Sequence, residues 1–135
     1  MQGMVFFLPL GILAGIALMK WSARRRLRRA GVREVGALEA LELIDNRGAI
    51  VFDVREQNEY QAGRIPNARH LPLRHVAARL KDLEILKDKP VVVSCRSGRR
   101  SASASMLMRQ NGFNQVYNLK GGLSAWRKAN LQLER

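Results

Sequence analysis

Pro90-Val91-Val92-Val93-Ser94-Cys95-Arg96-Ser97-Gly98-Arg99-Arg100-Ser101 reads as a strand, a turn and the start of a helix. The β-branched run after Pro90 predicts a central strand over residues 90–94. Ser101 to Asn111 predicts a helix closed by Gly112, with Ala104, Leu107 and Met108 on one face. Its first turns, all Ser and Ala, allow close approach to the sheet. A loop entering a helix presents free backbone N–H groups and the positive end of the helix dipole. Gly98 lets that loop curl so that several N–H groups point inward, and Arg96, Arg99 and Arg100 add full positive charge. Each of these features favours thiolate over thiol at Cys95, the single cysteine of the chain. The same cradle suits an anionic substrate held against the sulfur. The plainer reading, a small buried hydrophobe, accounts for neither the arginines nor the glycine that follow.

The alternation of strand and helix extends on both sides of this stretch. Val35 ends a short first strand. Leu38, Leu41 and Ile44 fall at helical spacing over residues 37–46, stopped by Gly48. Residues 49–52 form a buried strand ending at Asp53, and Asp53-Val54-Arg55-Glu56 has the spacing of a capping box for a short helix through Tyr60. Gly63 and Pro66 mark a loop, residues 68–71 a strand, and residues 73–80 or beyond a helix. A last strand is expected over 115–119 and a last helix over 123–129, after Gly121-Gly122. This order predicts one α/β domain over residues 34–135, with a mainly parallel central sheet flanked by helices. In such sheets sites form beyond the carboxyl ends of the strands, where Cys95 and Asp53 both stand. Asp53 and Arg55 read as a cap and ion pair supporting the loop. His70 and His75 read as surface or loop residues, Trp126 as a core anchor, and Met106 with Met108 as ordinary packing.

The net charge of +13 is unevenly spread. Seven of the 24 basic residues lie between Lys20 and Arg33 with no acid among them; the other 17 against all 11 acids leave +6. With no aromatic residue interleaved, the run Arg24-Arg25-Arg26-Leu27-Arg28-Arg29 does not read as a nucleic-acid site. Two histidines and one cysteine argue against an ordinary zinc site, and one cysteine excludes an internal disulfide, so no metal or cofactor is expected. Met1 to Met19 carries no charged side chain, which predicts a transmembrane anchor over residues 1–21 and a basic juxtamembrane linker over 22–33. Lys20 would snorkel and Trp21 would sit at the interface. Charge follows the apolar run and no Ala-x-Ala site precedes Lys20, so the segment reads as uncleaved. The positive-inside rule then puts the amino terminus outside the cell (inner) membrane and the catalytic domain in the reducing cytoplasm. Gly11 and Gly15 fit the Gly-x-x-x-Gly pattern that pairs membrane helices into dimers.

Three motifs together resemble the rhodanese family. Asp53-Val54-Arg55-Glu56, Glu59-Tyr60 and Gly63-Arg64-Ile65-Pro66-Asn67-Ala68 resemble its D-V-R-E…E-Y…G-H-I-P-G-A stretch. Cys95 to Ser101 is similar to its C-x-x-G-x-R-S loop, and Gly121-Gly122-Leu123-Ser124-Ala125-Trp126 to its late G-G-x-x-x-W. The resemblance runs from about Val35 to the carboxyl end. It implies a rhodanese-like domain that moves a sulfane sulfur through a persulfide on Cys95, from a donor such as thiosulfate to a thiol or cyanide acceptor. Arg96, Ser97, Gly98, Arg99 and Arg100 would bind substrate, with Arg100 the main cation; Asp53 and Arg55 would support the loop. Arg64 stands where the family has histidine and Asn67 where it has glycine, departures that bear on partner or substrate preference. Cysteine-based phosphatases and arsenate reductases place arginine six residues after the cysteine. Here the sixth residue is Ser101, so the loop is one residue short for phosphate. A tethered binding module with little catalysis is the other alternative, although such members usually lose the cysteine or loop glycine kept here. With no second cysteine, a Cys95 persulfide has to pass its sulfur to an external thiol.

Overall fold

Valine runs buried on both faces require cover above and below the sheet. The computed structural model, which describes residues 9–135, provides it. Strands β1 (Arg33–Val35), β2 (Ile50–Asp53), β3 (Arg69–His70), β4 (Pro90–Ser94) and β5 (Gln115–Leu119) make one sheet in the order β1-β5-β4-β2-β3, with every pair parallel. The helices are α1 (Leu10–Arg29), α2 (Ala37–Arg47), α3 (Gln57–Ala62), α4 (Val76–Arg79), α5 (Arg99–Gln110) and α6 (Gly122–Lys128). Alternation along β4 sorts the core in two. Val91 and Val93 join the cluster that holds Ala104 and Met108 of α5, while Val92 joins Leu123 and Trp126 of α6 with Ala40 and Leu43 of α2. Trp126 is an anchor as expected, buried, with its indole N–H donating to Gln132 O at 2.9 Å.

Two local expectations change. The helix expected over 73–80 is a 3-10 turn (Leu73–His75), the short α4, and a longer 3-10 segment (Leu80–Leu86). Its inward residues Leu80, Leu83 and Leu86 recur every third position, the period of a 3-10 helix, and leave Ile85 exposed. The capping box moves as well. Glu56, not Asp53, caps α3, with Glu59 as its reciprocal partner, because Arg55 already occupies the Asp53 carboxylate.

The transmembrane placement is corrected. Among the described residues no helix is long and apolar enough to cross a membrane. In α1 only Leu10 to Met19 is free of charge, a rise of about 15 Å against a hydrocarbon core of about 30 Å. Lys20 and five arginines occupy the remainder of the helix. α1 is continuous through residues 21 and 22, where the sequence suggests a change from anchor to linker. Its last turn packs on the domain: Leu27 and Val32 are buried, and Ala30 half-buried, against the α5 side of the core. The orientation read from the arginine cluster, with the catalytic domain in the cytoplasm, therefore has no span among the described residues to rest on. Residues 1–8 of the expected anchor lie outside the described residues.

Candidate active site

Parallel pairing brings the carboxyl ends of β2 and β4 to one edge, with Asp53 in register with Ser94. Cys95 is the next residue and is buried. Its Sγ accepts the Gly98 N–H at 3.1 Å and lies 3.3 Å from Ser101 Oγ. Gly98 caps α5 with φ 100°, a conformation that favours glycine. A Cβ there would also stand 3.3 Å from the Gly121 nitrogen. The Asn118 amide, buried at the end of β5, donates to Gly98 O at 3.2 Å.

The other side of the loop is held by α6. Leu123 N–H donates to Cys95 O at 2.8 Å and Ser124 N–H to Arg96 O at 3.1 Å. Gly122 makes this closeness possible: a Cβ there would lie 2.3 Å from Cys95 O and 2.7 Å from the Arg96 carbonyl carbon.

The three loop arginines separate. Arg96 and Arg99 are exposed, as is Ser97, and among the described residues neither arginine has a carboxylate partner. Arg100 forks onto Glu59, with N···O distances of 2.7 and 2.9 Å. That pair fastens the first turn of α5 to α3. The hydrogen bonds from Arg100 outweigh partial burial and hold the Glu59 carboxyl down to about 2, while Glu59 raises Arg100 above its ordinary value. The position that carries arginine in phosphatases carries Ser101, whose hydroxyl reaches the sulfur.

Asp53 and Arg55 form a buried bidentate pair. Arg55 Nε bonds both carboxylate oxygens at 3.0 Å, and Nη2 reaches Asp53 Oδ2 and Gly63 O at 2.7 Å. The pair braces the turn that carries α3, and with it Glu59. His70 Nε2 lies 2.7 Å from Arg55 O, and the ring stacks on Tyr60. Arg64 and Asn67 have local reasons for replacing histidine and glycine. Asn67 adopts φ 64°, which asparagine tolerates, and its N–H donates to Glu134 at 2.8 Å. Arg64 stacks over Tyr60 and pairs with Glu134, and the two backbones exchange hydrogen bonds.

Four residues of this arrangement, Ser101, Glu59, Gly122 and Asn118, are not among the site residues read from the sequence. Glu59 stands only as a letter in the E-Y motif, Gly122 as punctuation before a helix and a letter in the G-G-x-x-x-W motif, and Ser101 as the last letter of the loop motif. Asn118 gives no signal, being a lone asparagine in a strand that also carries Gln115.

The Glu59 pair yields a pH prediction. A carboxyl held below its ordinary value adds stability above that value and loses it as the pH falls toward the folded one. Glu59→Gln should therefore lower stability by about 1 kcal/mol at pH 7, a value kept small because the pair is partly solvated. In urea titrations the gap to wild type should close between about pH 4.5 and 2. A gap that persists at the acid end would assign it to something other than the ion pair.

The chain belongs to the rhodanese-like domain family, whose model matches residues 36–129 and so covers β2 to β5, the Cys95 loop and α6. It is 32% identical over 97 residues to thiosulfate sulfurtransferase GlpE of Pseudoalteromonas translucida, covering 72% of this chain and 90% of that one. It is 44% identical over 80 residues to uncharacterized protein YqhL of Bacillus subtilis; the match covers 59% of this chain and 62%, under two thirds, of that relative. Among solved structures, a rhodanese-related protein from Thermoplasma volcanium superposes with a TM-score of 0.68 at 32% identity, covering 76% of this chain and 97% of that one.

Proposed function

We propose that this protein is a sulfurtransferase that carries a sulfane sulfur as a persulfide on Cys95. The observation that carries the proposal is the setting of the sulfur itself: a strand-end thiol 3.1 Å from an inward N–H and 3.3 Å from a hydroxyl, at the entry to α5. A thiolate there attacks the outer sulfur of thiosulfate. The new bond joins Cys95 Sγ to that sulfur, the S–S bond of the donor breaks, and sulfite leaves with the electron pair. The Gly98 N–H and the Ser101 hydroxyl are placed to stabilise the anionic sulfur before and after the step. A thiolate or cyanide acceptor then takes the outer sulfur and restores Cys95, which makes the kinetics ping-pong. The thiosulfate sulfurtransferase among the relatives supports this chemistry.

Intact-mass measurement of the full chain after incubation with thiosulfate tests the proposal. The expected result is the mass of one added sulfur atom, removed again by cyanide. No adduct with any sulfane donor would overturn it and favour a binding module.

A further inference from the structure

A cavity of about 300 Å³ opens beside the Cys95 loop, between α3 and α6, and Cys95 does not line it. Arg96 forms the wall on the loop side, Arg127 and Ser124 line it from α6, and Leu123 and Ala62 supply apolar surface. Arg55 and Glu59 also line it, but their charges are already matched, Arg55 by Asp53 and Glu59 by Arg100. Arg96 and Arg127 have no carboxylate partner among the described residues. The cavity therefore carries two unneutralised guanidiniums, one hydroxyl and a small apolar surface. Concave sites of this size take small molecules rather than protein surfaces. The guanidinium is the side chain best shaped to fork onto a carboxylate.

We infer that this cavity binds the sulfur acceptor, and that the acceptor is a small thiol bearing one or more carboxylates, held by Arg96 and Arg127. The inference rests on the proposed Cys95 persulfide. The acceptor arrives as a thiolate that also carries carboxylate charge, so it is repelled as it approaches a negatively charged persulfide. Two free cations beside the loop offset that repulsion. The thiolate forms a bond to the outer sulfur, the bond from that sulfur to Cys95 Sγ breaks, and the electron pair returns to Sγ. The acceptor departs as its own persulfide, and no outside oxidant or reductant is needed. Anchoring the carboxylate away from the sulfur leaves the thiol end free to turn toward the loop.

The test compares two acceptors on the thiosulfate-loaded full chain, mercaptosuccinate and the uncharged 1-thioglycerol. The measured quantity is the ratio of kcat/KM for the charged thiol to that for the neutral one. Taking this ratio within each variant cancels the intrinsic difference between the two thiols. Arg127→Ala should lower the ratio about 10-fold, the size expected for one charge-assisted contact in a partly open site. Arg127→Lys should recover part of it, and succinate should compete with mercaptosuccinate in wild type. An unchanged ratio in a chain that still gains sulfur overturns the acceptor site while leaving the Cys95 reading intact. A wild-type chain that gains no sulfur overturns the Cys95 reading, and this inference with it.

Discussion

Cys95→Ser should leave no sulfur transfer above background, a loss of at least about 10³-fold. A serine hydroxyl does not ionise near neutral pH and forms no persulfide, so both halves of the proposed cycle are lost together. The shape is nearly kept, which makes the substitution informative. The smaller oxygen can still face the Gly98 N–H and the Ser101 hydroxyl that now surround the sulfur. A buried hydroxyl with partners costs little, so stability should stay within about 1 kcal/mol of wild type. The mass gain after thiosulfate treatment should vanish, while the urea midpoint barely moves. Residual transfer of more than a few per cent would mean that another group carries the sulfur. The chain has no second cysteine to do so.

The fold was legible because a parallel sheet covered on both faces writes itself as valine runs alternating with helical periodicity. Val91-Val92-Val93 is that signature, and it also placed Cys95 at a strand end. Strand order was not legible, since β4 pairs with β5 and β2 through contacts distant in sequence. The error at the amino terminus has a similar cause. Charge counting along α1 sees an apolar half and a basic half. It does not see that Leu27, alone among arginines, is buried in the core. Capping boxes can be drawn from Asp53 to Glu56 and from Glu56 to Glu59. Only the Arg55 guanidinium decides between them, by taking the Asp53 carboxylate. That Arg100 shares its charge with Glu59 was not legible either, because the two lie 41 residues apart. Local charge is readable in a sequence; what neutralises it is a property of the fold.

Gly122 is where loop and fold meet, and Gly122→Ala is expected to damage both. Its φ is 55°, a left-handed conformation that costs an L-residue about 1–2 kcal/mol. The added Cβ would also stand 2.3 Å from Cys95 O and 2.8 Å from Arg96 O, both backbone atoms. Neither can swing aside as a flexible side chain would. To relieve the contact, the loop or the start of α6 has to move, which lengthens the hydrogen bonds from Leu123 and Ser124 that clasp the loop. Strain and lost bonds together should cost about 3 kcal/mol. A displacement near 1 Å at the reacting sulfur is enough to reduce transfer about 100-fold in the fraction that folds. Gly48→Ala separates the two causes. Its φ is 65°, but a Cβ there meets nothing within 4 Å. It should lose only about 1 kcal/mol and transfer sulfur at the wild-type rate. Equal losses of activity in the two variants would show that the Gly122 effect is global destabilisation. Loss confined to Gly122→Ala would show that α6 sets the position of the Cys95 loop.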